Sequence, residues 1–126
     1  MNWTLAVVLG LVLLAFFLSK RMSFVSAEAA RKYLREGAAV IDVRSPEEFR
    51  SRHLPGALNI PLGELREGLA RSVRDKNQVL LLHCLSGGRS GIAKVQAKKL
   101  GYARVFNLGG YGRAEAIVSR KGASPP

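Results

Sequence analysis

The longest apolar run in the second half of the chain is Val79-Leu80-Leu81-Leu82, followed by His83 and Cys84 and then by the polar turn Leu85-Ser86-Gly87-Gly88-Arg89. A strand covered on both faces reads as such an unbroken run, so this stretch predicts a central parallel strand that stops at the cysteine. Ala39 to Val43 is a second buried strand, Ala57 to Ile60 a short extended segment stopped by Pro61, and Arg104 to Leu108 a last strand. Helical patterns fill the gaps. Ser26 to Glu36 is a helix with Ser26 as N-cap and Gly37 as its stop. Ser45-Pro46-Glu47-Glu48 is a capping box with proline at the first helical position. Leu62, Leu65, Leu69 and Val73 recur at helical spacing. A further helix starts near Ser90, with Ile92, Val95 and Leu100 expected on its core face and Gly101 closing it, and Tyr111 to about Ser119 is the last. Strands alternating with helices mean βαβ units, a largely parallel sheet and helices on both faces.

The first part of the chain follows a different pattern. Trp3 to Leu18 carries no charge and is apolar apart from Thr4, with Lys20-Arg21 after it beyond Ser19. Sixteen residues make a helix of about 24 Å, a little short of a ~30 Å hydrocarbon core, which flanking Trp and Lys/Arg side chains ease. Residues 1–21 are therefore expected to be a transmembrane anchor that contacts lipid through residues 3–19. Residues 22–121 form the folded domain and 122–126 a disordered tail. The positive residues after the apolar run place that domain on the cytoplasmic side of the inner membrane. The competing expectation is a periplasmic domain released by signal cleavage at Val25-Ser26-Ala27, although signal peptides carry their positive charge before the apolar run.

Composition narrows the partners. With 20 basic against 9 acidic residues the chain carries a net charge of +11, and every charge lies at or after Lys20. Such a surface favours anionic substrates or acidic lipid. Zinc-ligand spacing, ribonucleoprotein aromatics and a helix-turn-helix pattern are all missing, so nucleic acid is not an expected partner. The single cysteine excludes an internal disulfide.

That cysteine stands where a strand meets the carboxyl edge of the sheet, the place where open α/β proteins bind ligands. Gly87 and Gly88 allow a tight curl whose N–H groups converge as an anion nest, Arg89 adds a cation and the following helix adds its positive end. Each feature favours a thiolate, the nucleophilic form. The competing reading is a small core residue, since free cysteines are often buried. Ser86 and Ser90 are candidate hydrogen-bond donors to the sulfur, with Ser90 equally a helix cap. Arg44 is a candidate anion attractor, although Asp42 beside it reads as a loop-fixing hydrogen bonder. His53 and Asn59 read as turn residues.

Three segments in this order, Ile41-Asp-Val-Arg-Ser-Pro-Glu-Glu-Phe49, His53-Leu-Pro-Gly-Ala-Leu-Asn-Ile-Pro61 and Cys84-Leu-Ser-Gly-Gly-Arg89, closely resemble the rhodanese family over roughly Ser23 to Arg120. The resemblance implies an α/β domain with a central five-stranded parallel sheet. It implies that Cys84 takes a sulfane sulfur, typically from thiosulfate, and passes it from a persulfide to cyanide or another thiol. Leu85, Ser86, Gly87, Gly88 and Arg89 would form the cradle, with Arg89 as anion ligand and no metal or organic cofactor. Four residues separate Cys84 from Arg89 where related phosphatases have five, so the ring suits sulfur better than phosphate. A persulfide carrier or docking module that does not turn over is the second hypothesis. A cysteine-dependent phosphatase or arsenate reductase is the third. The family often has a tryptophan where this chain has Tyr111.

Overall fold

Local capping starts the helices where the sequence places them. The Ser26 hydroxyl accepts from the Ala29 N–H at 3.1 Å, opening α2 (Ala27–Arg35). At α3 (Pro46–Ser51) the capping box is complete, with Glu48 N–H donating to Ser45 Oγ and Ser45 N–H donating to Glu48 Oε1. These side chains satisfy first-turn N–H groups that have no partner within a helix. The structure, a computed structural model, describes residues 2–21 and 24–119. The expected tail, residues 122–126, lies outside the described residues.

The four strands among the described residues are β1 (Ala39–Asp42), β2 (Leu58–Asn59), β3 (Leu80–His83) and β4 (Val105–Gly109). They form one parallel sheet in the order β2-β1-β3-β4. A 3-10 turn (Leu62–Glu64) leads into α4 (Leu65–Ser72), and α5 (Gly88–Lys99) and α6 (Tyr111–Ser119) complete the domain. Alternation along the strands divides the core. Ile41, Leu80, Leu82 and Val105 pack with Leu65, Leu69, Ala93 and Ala97 of α4 and α5. Val40, Leu81 and Leu108 pack with Ala30, Leu34, Ala114 and Ile117 of α2 and α6 on the opposite face. In register, Leu82 faces Asn107 but His83 faces Gly109, so Leu108 is one extra residue on β4. This bulge re-aims the end of the strand beneath the cysteine.

Three expectations are corrected. The sheet has four strands rather than five: Phe24 makes a single parallel bridge to Asn107, and Ser26 then caps α2. No apolar run in the sequence corresponds to the fifth strand, which only the family resemblance implied. The second correction concerns α1 (Trp3–Arg21), which is helical but does not qualify as a membrane anchor. Among the described residues no helix is long and apolar enough to cross a membrane, which overturns the expected transmembrane helix and single-pass inner-membrane location. The apolar stretch of α1 ends at Leu18, before Ser19 and Lys20, which leaves about 24 Å of helix against a ~30 Å core.

The third concerns α5, whose inward face is Ser90, Ala93 and Ala97, all fully buried. Ile92 and Val95, expected in the core, are both 54 % exposed. Small residues let the helix lie close on the sheet, and the position of Ser90 against the cysteine sets its rotation.

Close approach also explains one glycine in α4. A Cβ at Gly68 would stand 2.3 Å from Ile60 Cγ2, inside van der Waals contact. Gly68→Ala therefore lowers unfolding free energy by about 1–2 kcal/mol in urea titration, the clash outweighing the better helix propensity.

Candidate functional site

Cys84 follows the last residue of β3, and its N–H donates to Gly109 O at 3.2 Å, which ties the chain to the bulged end of β4. The turn after it closes at once. Gly87 has φ +96°, a left-handed backbone, and α5 begins at Gly88. The cradle is thus the first turn of the helix, starting one or two residues earlier than the sequence pattern places it. Its unpartnered N–H groups and positive dipole end meet the thiol. Gly87 N–H donates to Cys84 Sγ at 3.0 Å, Ser90 N–H lies at 3.4 Å and Ser90 Oγ at 3.5 Å.

The thiol is fully buried. Burial alone pushes a thiol up, because the charged form loses water. Here that effect is outweighed by the Ser90 hydroxyl and the N–H groups of Ser90, Ser86 and Gly87, so the Cys84 pKa falls below its ordinary value. Donors aimed at a sulfur favour the anion, which is the reactive form.

The glycines of the two adjoining loops have distinct reasons. A Cβ on Gly87 would strike the Phe24 ring at 2.7 Å, and one on Gly110 would meet Leu85 O at 2.8 Å. Tyr111 N–H donates to Leu85 O at 3.0 Å, and Ser86 bridges Gly110. The cradle therefore rests on the glycine pair Gly109-Gly110. A Cβ on Gly88 would meet open space, so its side-chain-free character has no steric cause. Leu85 itself is 61 % exposed, on the outside of the turn.

Arg89 is part of the turn, but its guanidinium is engaged elsewhere. Nη1 and Nη2 donate to the Glu48 carboxylate at 2.7 and 3.0 Å, a bidentate pair across the site. Those donors, joined by the Ser45 N–H, hold the Glu48 carboxyl down to about 2. Arg44 is not brought to the sulfur. It is nearly buried, with Nε and Nη2 bonded to Asp42 and Nη2 also to Arg52 O at 2.6 Å. Tyr111 occupies the corner between Arg44 and Arg52, whose guanidinium carbons lie 4.8 and 4.4 Å from its ring centre. His83 is fully buried, and that burial lowers its pKa despite Asp42 Oδ2 3.8 Å from its Nε2. Asn59 donates to the carbonyls of Asp42 and Arg44, and His53 Nδ1 pairs with Phe49 O, both as turn residues.

Sequence reasoning passed over Asn107 and the cross-site role of Glu48. Asn107 was visible as a polar residue inside an apolar strand, a position that requires buried hydrogen bonds. In the structure its Oδ1 accepts from Ser90 Oγ at 2.8 Å and from Gly109 N–H at 2.9 Å, while Nδ2 donates to Gly87 O at 3.1 Å. Glu48 reads in the sequence only as a cap.

The lowered Glu48 pKa has a sign. Its contribution to stability is complete above the unfolded value of ~4.3 and is lost as pH falls through about 2. Glu48→Gln is accordingly expected to flatten the acid limb of the unfolding curve between those values. An acid limb identical to that of the parent would refute the pairing.

With the geometry in place, comparison with known proteins gives one consistent answer. Residues 26–113 match the Rhodanese-like domain family model. The chain is 46% identical over 70 residues to Thiosulfate sulfurtransferase PspE of Escherichia coli, covering 56% of this chain and 67% of that protein. Among solved structures, a rhodanese with anions from E. coli superposes with TM-score 0.59 at 42% identity, over 61% of this chain and 91% of that one. Human Single Domain Sulfurtransferase TSTD1 superposes with TM-score 0.63 at 32% identity, over 76% of this chain and 96% of that one. The parallel sheet, the strand-end cysteine and its amide cradle belong to a member of the rhodanese-like domain family.

Proposed function

We propose that this protein is a sulfurtransferase that moves a sulfane sulfur, from thiosulfate or a similar anion, through a persulfide on Cys84. The observation that carries the reading is the set of N–H and O–H donors converging on Cys84 Sγ from Gly87 and Ser90. Relatives named as sulfurtransferases support the chemistry in general.

The reaction runs in two displacements. The Cys84 thiolate attacks the outer sulfur of thiosulfate, forming the S–S bond of a persulfide anion as the donor S–S bond breaks and sulfite leaves. Cyanide or a thiolate then attacks the outer persulfide sulfur and takes it, and the Cys84 thiolate returns. Charge is conserved in each step, and the covalent intermediate predicts ping-pong kinetics. Preorganised donors suit both halves, because each begins or ends with an anion in the cradle. Leu85, Ser86, Gly87, Gly88 and Ser90 shape the ring, and Arg89 attracts the dianion. Arg44 serves this reading indirectly, by holding the end of β1 through Asp42.

Two features favour a slower variant of the same chemistry. Cys84 has no exposed surface, so the turn over it must give way before a donor arrives, and Arg89 must share or leave Glu48. Both suit a persulfide carrier that exchanges with a protein acceptor rather than a fast small-molecule enzyme.

Thiosulfate-dependent thiocyanate formation by the full chain tests the proposal. Turnover that disappears in Cys84→Ser supports the enzyme. A gain of one sulfur atom on Cys84 without turnover favours the carrier. A chain that shows neither, or aryl phosphate hydrolysis dependent on Cys84, defeats both.

A further inference from the structure

Asn107 is 1 % exposed and holds three parts of the site at once: the Ser90 hydroxyl, the Gly87 carbonyl and the Gly109 amide. Ser90 is fully buried as well. Its hydroxyl has one proton and two acceptors within reach, Asn107 Oδ1 at 2.8 Å and Cys84 Sγ at 3.5 Å. Only one can receive it at a time. While Sγ is a neutral thiol, the shorter distance points the Ser90 hydroxyl proton at Asn107 Oδ1, and the sulfur keeps the N–H groups alone.

We infer that Asn107 is a positioning residue that sets the strength of thiolate stabilisation by competing with Cys84 for the single hydroxyl proton of Ser90. When Sγ is a neutral thiol the amide oxygen wins. When Sγ is ionised, a charge-assisted bond draws the hydroxyl across. The swing does not orphan Asn107 Oδ1, because the Gly109 N–H stays on it at 2.9 Å. That second donor makes the exchange reversible within a buried site, where an unpaired polar atom is otherwise destabilising. In a persulfide the charge moves to the outer sulfur, and the hydroxyl returns to Asn107. This consequence for the transfer cycle rests on the sulfurtransferase reading, whereas the hydroxyl competition does not.

The charged and titratable groups around the cradle are Arg89 in the turn, Glu48 on α3, His83 on β3, Asp42 and Arg44 at the end of β1, and Tyr111 and Arg113 on α6. All are unchanged in the proteins compared below, so their fields cancel when differences are taken.

The test is a double-mutant cycle read by ultraviolet absorbance of the Cys84 thiolate against pH in the full chain, with Cys84→Ser as the blank. It requires no sulfur donor, so it can fail while sulfur transfer stands, and the reverse. Ser90→Ala is expected to raise the titration midpoint by about 0.5 in the parent, where Asn107 holds the hydroxyl back, and by about 1 in Asn107→Leu, where nothing does. A merely structural Asn107 predicts the opposite ordering, because a loosened turn carries Ser90 away from the sulfur. An increment in Asn107→Leu equal to or smaller than that in the parent overturns the inference. Asn107→Ala provides an independent arm if the leucine variant does not fold. It removes the acceptor oxygen without adding a charge, so the Ser90→Ala increment is expected to rise to about 1 there as well. An increment there no larger than that in the parent also overturns the inference.

Discussion

The site depends on an opposition between water and amides at one sulfur atom. Cys84 is sealed from solvent, which by itself would keep the thiol protonated and inert. The first turn of α5 reverses that outcome by aiming N–H groups at the sulfur from short range. Those groups have no intrahelical acceptor, so the sulfur meets a requirement of the helix as well as of the chemistry. Folding and reactivity therefore draw on the same few atoms.

The rest of the domain places those atoms. Buried β3 delivers the cysteine to the sheet edge, and the bulge at Leu108 turns the end of β4 so that Gly109 receives the Cys84 amide. Gly110 lets the turn lie against β4, and the Phe24 ring closes over Gly87 from the residues that precede α2. Asn107 links turn, helix start and strand end. The Glu48–Arg89 pair fastens α3 to the same turn from the other side, and it means that the Arg89 guanidinium already has a carboxylate on it.

Much of this was legible in the residues. The four strands follow from apolar runs with punctuation, and the capping box at Ser45 and the tight turn after Cys84 follow from short-range rules that act within a few positions. What was not legible depends on distance or on competition between elements. A period-3.6 pattern put Ile92 and Val95 inward, yet contact between Ser90 and the cysteine set the helix rotation and left Ala93 and Ala97 against the sheet. The Arg89 pairing spans 41 positions, and no local rule reports it. The fifth strand came from likeness to a family and had no run of its own. The expected membrane span came from a run whose length stood at the margin.

The titration midpoint of the wild-type Cys84 thiol tests this account most directly, because it weighs burial against the hydrogen-bond donors in one number. Thiolate absorbance followed with pH in the full chain is predicted to rise with a midpoint below that of a free cysteine thiol. A midpoint at or above that value would show that burial prevails, that the amides do not hold an anion, and that the cradle is only a helix start that happens to contain a cysteine.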